Sequence, residues 1–334
     1  MTEKISLAHG DGGSMTHRLV QEVFQKAFND PSLQAEEDAA YLLATSQHLR
    51  LSTDSFVISP LEFPGGDIGK LAIAGTVNDV AVSGAVPRYI SVGFILEEGL
   101  ELSLLKRVVH SMAATAQQAG VRIVAGDTKV VEKGLCDGMY INTTGIGFQE
   151  DPNRLSFSSV LPGDRVIING GVAEHAVAVL AKRAGIHFPS GLRSDCQVLN
   201  RMIQDLLQRF PTIRFLRDPT RGGIATTVKE IAEQARVNIK IMEERIPIKQ
   251  EVQGALEILG MDPFYLANEG KLIVIAASEE AEDIVAYLRN EHNQPMACEI
   301  GYVTAGTGEV LLHTPYGGTR KWKRMSGTPL PRIC

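Results

Sequence analysis

Strand-like and helix-like segments alternate along the whole chain, which confines it to the α/β classes. In the first half, Met15, Leu19, Val20, Val23, Phe24, Ala27 and Phe28 recur at helical spacing. A strand is expected at Phe56–Ile58 and a helix rich in small residues from Ile68 to Gly84. Tyr89–Leu96 alternates as a strand. Leu104, Leu105, Val108, Val109, Met112 and Ala116 line one helical face, which Gly120 closes. Val121–Ala125 and Met139–Phe148 read as strands. A polar, turn-prone bridge follows at residues 150–163, with Asp151-Pro152-Asn153 and Pro162-Gly163 at its ends. Beyond it come the strand Arg165–Asn169 and the helix Ala173–Ala184. Further helices are expected over 197–209, 222–236 and 279–291, and strands over 237–243, 271–276, 298–303 and 309–313. The expectation is two α/β domains of the α+β kind with mixed sheets, at 1–150 and 160–315. A mobile tail would span 316–334.

A length of 334 residues suits two such domains. The net charge of -6 argues against a nucleic-acid footprint. The start, Met1-Thr2-Glu3-Lys4, lacks the apolar core of a signal peptide, and no run reaches the length of a membrane span. A cytoplasmic protein without a membrane partner is expected. Arg320, Lys321, Lys323 and Arg324 around Trp322 read as a solvated strand edge or a partner surface. The four cysteines, at 136, 196, 298 and 334, form no C-x-x-C pair. The first three are expected to be reduced, inert thiols.

Acids beside small residues recur in the first half. Thr53-Asp54-Ser55 adjoins a strand, Asn78-Asp79 sits inside an apolar helix, and Gly126-Asp127-Thr128-Lys129 follows a strand. Magnesium takes hard oxygen ligands, usually one or two carboxylates plus waters and phosphates. Asp54, Asp79 and Asp127 together fit a magnesium–triphosphate site, with Lys129 to neutralise charge on a transferring phosphoryl group. Each aspartate alone reads equally as a cap or turn residue. In the second half, Asp218 or Thr220 could cap a helix whose N-terminus could receive phosphate. Asn268-Glu269-Gly270-Lys271 places an acid and a base before a strand. Gly65-Gly66-Asp67-Ile68-Gly69-Lys70-Leu71 has the wrong spacing for a Walker loop, and the Gly10-Asp11-Gly12-Gly13 run is not a dinucleotide fingerprint. The chain ends Pro329-Leu330-Pro331-Arg332-Ile333-Cys334, an extended rod carrying a thiol. By itself that arm is either a frayed end or a carrier.

Taken together, these segments resemble the ATP-dependent superfamily of aminoimidazole ribonucleotide synthetase, selenophosphate synthetase and thiamine-monophosphate kinase. Within it the resemblance is close to the carbamoyl dehydratases of hydrogenase maturation. The segments run from His9-Gly10-x-Gly12-Gly13 through Thr53–Ser55, Gly75–Ala85, Gly126–Val130, Asp218–Gly223 and Asn268–Lys271 to Pro331-Arg332-Ile333-Cys334. Asp11 departs from the small residue expected in the first of them.

The resemblance implies a homodimer whose first domains build a shared β-barrel, with ATP and Mg2+ bound in a cleft between domains. A carbamoyltransferase maturation factor would load Cys334. ATP-driven dehydration would turn the thiocarbamate into a thiocyanate, and an iron-carrying maturation scaffold complex would receive the cyanide for [NiFe]-hydrogenase. The implied roles are metal binding for Asp54, Asp79 and Asp127. Nucleotide contacts would come from His9, Gly12, Gly13, Asn78, Asp218 and Thr220, and catalysis from Cys334, Lys129 and Glu269. A sister synthetase or kinase acting on a small molecule is the alternative.

Overall fold

The structure is a computed structural model that describes residues 4–35, 39–152, 154–186, 191–324 and 333. Cys334 and Arg332 lie outside the described residues.

The N-terminal segment runs through α1 (Ser14–Leu19), a π-helical turn (Val20–Gln25), α2 (Lys26–Phe28) and α3 (Pro31–Gln34). Asp30 caps α3 and holds Arg122 at 2.7 Å, tying the segment to the sheet. The first domain's sheet contains β1 (His48–Phe56), β4 (Val86–Glu97), β5 (Arg122–Val131) and β6 (Met139–Gln149), in the order β1-β6-β4-β5. Only the β4–β5 pair is parallel. A small hairpin, β2 (Glu62–Phe63) and β3 (Gly66–Asp67), leads into α4 (Ile68–Val82). The Asp67 carboxylate starts α4 by accepting the Gly69 and Lys70 amides.

Most of α4 is buried, because it lies between its own sheet and the second domain. This explains an apolar sequence without a polar face. By contrast, α5 (Leu102–Ala119) buries one stripe and ends at Gly120 with φ 72°.

The second domain holds a seven-stranded sheet. Its strands are β7 (Arg165–Ile168), β8 (Ile213–Arg217), β9 (Val237–Met242), β10 (Ile273–Ala276), β11 (Cys298–Ala305), β12 (Val310–His313) and β13 (Thr319–Trp322). The order is β13-β12-β9-β11-β7-β10-β8, with β12–β9 the parallel pair. Successive residues of β7 and β10 face opposite layers. Val166, Ile168, Ile273 and Ile275 pack under α8 (Gly223–Ala235). Ile167, Val274 and Ala276 pack under α7 (Asn200–Arg209) and α10 (Ala281–Glu291). Burial on both faces makes these strands read as unbroken apolar runs. Two further helices, α6 (Glu174–Arg183) and α9 (Gln250–Leu259), join the cluster that continues into the first domain.

The structure departs from the sequence reading at several elements. β1 starts at His48, so Thr53-Asp54-Ser55 lies within it; Leu49, Leu51, Thr53 and Ser55 point outward, which disguises the strand. β5 runs through Gly126–Val131 rather than ending before it. α8 begins at Gly223 with no side-chain cap, so neither Asp218 nor Thr220 caps it. The tail does not start at 316: β13 pairs with β12, and Trp322 is buried against Phe264. The strand β8 and the helix α9 were not anticipated; Gly254 and a narrow buried face of Val252, Ala255 and Leu256 weaken the pattern of α9.

Within one chain the four-stranded sheet is open, with β1 and β5 at its edges, and no closed barrel is formed among the described residues. Among those residues, no helix is long and apolar enough to cross a membrane.

Candidate active site between the two domains

The two domains meet where α4 faces the segment entering α7. Asn78 joins them: its Nδ2 donates to Gln197 O at 3.0 Å, and its Oδ1 accepts Leu199 N–H at 2.8 Å. Both ends of the amide are thereby spent on main chain, so the nucleotide contact expected of Asn78 competes with an interdomain staple. Asp79, the next residue, accepts from Ser52 Oγ at 2.7 Å and stands near Asp54.

Carboxyls converge here from four elements. Asp54 comes from β1, Asp79 from α4, Asp218 from the loop after β8, and Glu269 from the loop before β10. Burial raises the proton affinity of each, and mutual repulsion adds to it for Asp79, Asp218 and Glu269. The Asp218 carboxyl is pushed up to about 7. Glu269 is raised well above the usual carboxylate range by burial, and by Asp195, Asp218, Asp54 and Asp79 around it. Its Oε1 is buried without a hydrogen-bond partner. An orphaned buried oxygen is costly and marks a place where a ligand could supply the partner.

The floor below Glu269 is a buried ion network. Asp195 accepts the Glu269 and Gly270 amides at 3.4 and 3.0 Å. Lys271 lies 3.4 Å from Asp195 and 3.6 Å from Glu174, and Lys249 holds Glu174 at 2.9 Å. Asn268 fixes the loop by accepting Ala173 N–H and donating to Pro219 and Leu266 carbonyls.

Asp127 lies elsewhere. Asp54, Thr143, Val92 and Gly126 form one row across the sheet, so Asp54 and Asp127 are three strands apart. At about 4.8 Å per strand this is roughly 14 Å. Their side chains also take opposite faces, since Asp127 shares a row with exposed Ser55 and Asn142. The three aspartates do not meet around one ion within a single chain. Among the described residues no group of three or more His, Cys, Asp or Glu is arranged around a metal position. Lys129 shares the Asp127 face and binds that carboxylate at 2.7 Å, with both side chains exposed.

The glycine-rich segment lies along β5, with Gly10 against the Val130 main chain. His9 Nδ1 accepts Ser6 N–H at 3.0 Å, which leaves Nε2 to donate. Gly13 N–H is taken by the Asp11 carboxylate at 2.8 Å, and Gly12 N–H by Thr16 Oγ1 at 3.0 Å. Beside them opens a cavity of ≈ 440 Å³ lined by Phe24, Phe28, Val92, Phe94 and Asp127 among others.

Sequence reasoning missed His175, Ser194 and Asp195. His175 Nε2 donates to the main-chain carbonyl of Ile333 at 2.6 Å, and Ile333 is only 3% exposed. Ile333, next to last in the sequence, therefore docks against α6 beside Ser194 and Asp195. His175 precedes the apolar run Ala176–Ala181 in α6, and nothing local to it signals a partner 158 residues away. Cys136, Cys196 and Cys298 are free, and burial raises all three thiols, Cys298 to about 11. Such thiols are poor nucleophiles.

Two mixed α/β domains with an acidic cleft between them define the class of AIR synthase related proteins. The family model of their N-terminal domain matches residues 36–149, and that of the C-terminal domain matches residues 162–313. Carbamoyl dehydratase HypE of Azotobacter vinelandii is 45% identical over 99% of this chain and 97% of its own length. A crystal structure of hydrogenase maturation protein HypE in complex with ATP is 45% identical, with a TM-score of 0.94 over 98% of this chain and 99% of that one. A crystal structure of a HypE–HypF complex is 43% identical, with a TM-score of 0.79 over 92% of this chain and 99% of that one. The chain belongs to the carbamoyl dehydratase HypE family.

Proposed function

We propose that this chain is an ATP-dependent carbamoyl dehydratase of [NiFe]-hydrogenase maturation, working on a carbamoyl group carried by the Cys334 sulfur. One observation carries the reading: the penultimate residue is docked in the cleft, beside the network that supports an unpartnered carboxyl at Glu269. The names of the relatives and the ATP-bound HypE structure support it.

The bond changes balance as follows. The carbamoyl oxygen attacks the γ-phosphorus of ATP, and ADP leaves. The carbon–oxygen bond then breaks and phosphate departs. The two amide protons are lost, which leaves S–C≡N on the cysteine. An amide oxygen does not leave as hydroxide at neutral pH, and phosphorylation removes that obstacle. Glu269 accepts a proton; a carboxylate of raised proton affinity is the stronger base once ionised. Lys129 meets charge on the transferring phosphoryl group.

Magnesium would be held by Asp54 and Asp79, with Asp218 beside them. Buried like charges that raise one another's proton affinity fit a divalent cation, which supplies charge neutralisation for the triphosphate. Asp127 and Lys129 enter through a homodimer. β1 and β5 are the sheet's two open edges. Closing two copies into one barrel would set β5 of one copy beside β1 of the other, which places the strand carrying Asp127 next to the strand carrying Asp54. His9, Gly12 and Gly13 would close over the phosphates, and Thr220 would add a nucleotide contact from the second domain. A carbamoyltransferase loads the tail, for which the HypE–HypF complex is the supporting parallel. An iron-carrying scaffold takes the cyanide.

The test is the intact mass of the C-terminal peptide after incubation with a carbamoyltransferase, before and after Mg-ATP. A gain of one carbamoyl group on Cys334, followed by loss of one water only with ATP, is the expected result. An unmodified tail beside robust ATP turnover on a small molecule would move the chain to a sister branch.

A further inference from the structure

His175 is fully buried in α6, and the chemistry above does not use it. Its ring stands edge-on to Phe63, with centroids 5.3 Å apart. Nδ1 lies 2.8 Å from Ser194 Oγ, and Nε2 lies 2.6 Å from the Ile333 carbonyl oxygen. Neighbouring donors settle the proton positions. Cys196 N–H donates to Ser194 Oγ at 3.0 Å, so the hydroxyl proton is free to go to Nδ1. Nε2 then carries the ring proton and donates it to Ile333. The other tautomer would set a ring lone pair against a carbonyl lone pair at 2.6 Å. Burial lowers the imidazole's proton affinity, outweighing Asp195 and the carbonyl, and keeps the ring neutral at pH 7.

Ser194 is in turn placed by the first domain. Its N–H donates to Pro64 O at 2.8 Å. Gly65 has φ 100°, and a Cβ there would stand 2.8 Å from the Ser194 main chain, so only glycine fits this turn. The β2–β3 hairpin, Ser194 and His175 form one chain of contacts that ends on the tail.

We infer that His175, oriented by Ser194, is a latch that docks the chain's penultimate residue and thereby positions the terminal thiol. The inference rests on the carrier-tail reading given above. His175 is a positioning residue, because it touches the carrier's main chain and none of the reacting atoms. The Ile333 side chain supplies the apolar half of the dock. Cys334 is the next residue in the sequence. Asp195, adjacent to Ser194 in sequence, accepts the Glu269 amide, so the latch and the proposed base share one support. A main-chain latch does not read what the sulfur carries, so thiol, thiocarbamate and thiocyanate forms dock alike.

The experiment measures iodoacetamide alkylation of Cys334 in the full-length protein, read from the mass of the C-terminal peptide. Wild type is compared with His175→Phe, which keeps an aromatic ring without a donor, and with His175→Gln, which retains an N–H donor. Ser194→Ala serves as a second variant should His175→Phe fail to fold. His175→Phe is expected to alkylate about tenfold faster or more, the effect of losing one buried hydrogen bond. His175→Gln should return toward the wild-type rate. Single-turnover dehydration of the carbamoyl-loaded tail should slow in parallel, with ATP affinity unchanged. An unchanged alkylation rate in folded His175→Phe and Ser194→Ala overturns the latch, whether or not wild type dehydrates. Faster alkylation in proteins that never dehydrate a loaded tail keeps the latch and removes the dehydratase reading.

Discussion

Replacing Asn78 by alanine separates an interdomain staple from a ligand contact. The side chain is 2% exposed and spends both halves of its amide on the 197–199 segment. In the variant the buried Leu199 N–H loses its acceptor, at about 1–3 kcal/mol for an orphaned buried donor. Gln197 O is less enclosed and can bind water, so its loss is smaller. Alanine returns about 0.5 kcal/mol of helix propensity within α4. The net is about 2 kcal/mol of destabilisation, roughly 3 °C in melting temperature for a protein of this size. The assay follows thermal unfolding by far-UV circular dichroism and by fluorescence of Trp322, the single tryptophan, which is buried in the second domain. In wild type the two transitions should coincide. In Asn78→Ala they should fall and separate, because the domains lose a joint that couples them. A variant that melts within about 1 °C of wild type, yet binds ATP far more weakly, would refute the staple and return Asn78 to nucleotide binding.

Three further outcomes are expected. Glu269→Gln removes a carboxyl whose folded proton affinity is raised, so wild type loses stability as pH climbs from about 4 toward the folded value. The variant should gain on wild type across that window in urea titrations while losing dehydration, and a constant stability difference would contradict the burial argument. For Asp30 the sign reverses: burial would raise it, but the Arg122 guanidinium overrides this and holds it low. Its stabilisation is present above about pH 4 and disappears as pH falls through the folded value. Asp30→Asn should therefore weaken the fold at pH 7 and have little effect near pH 2, and equal losses at both would disprove the ion pair's role. Leu49 and Leu51 are 53% and 60% exposed on the open face of the first sheet. Leu49→Arg with Leu51→Arg should convert a dimer to a folded monomer by light scattering, and an unaltered mass would place any dimer contact elsewhere.

The sequence by itself determined the alternation of elements, the position of α4 and α5, and the acids at 54, 79, 127, 218 and 269. These are local properties: apolar period, glycine at helix ends and polar residues inside apolar runs. Glu269 became a candidate proton acceptor only through the family resemblance of Asn268–Lys271, because the segment by itself reads equally as a surface turn. Only the tertiary structure decided which acids meet. Asp54 and Asp79 converge because β1 and α4 pack face to face, whereas Asp127 was divided from them by strand order, which no local pattern encodes. Asn78 reads from the sequence as a nucleotide contact, and only the fold places the 197–199 main chain on both sides of its amide. His175 was invisible as anything but a core histidine, since its partners are Ser194 and a carbonyl 158 residues away. Contacts of that separation arise from chain closure across two domains, and their cost and gain are settled only when both cores have formed.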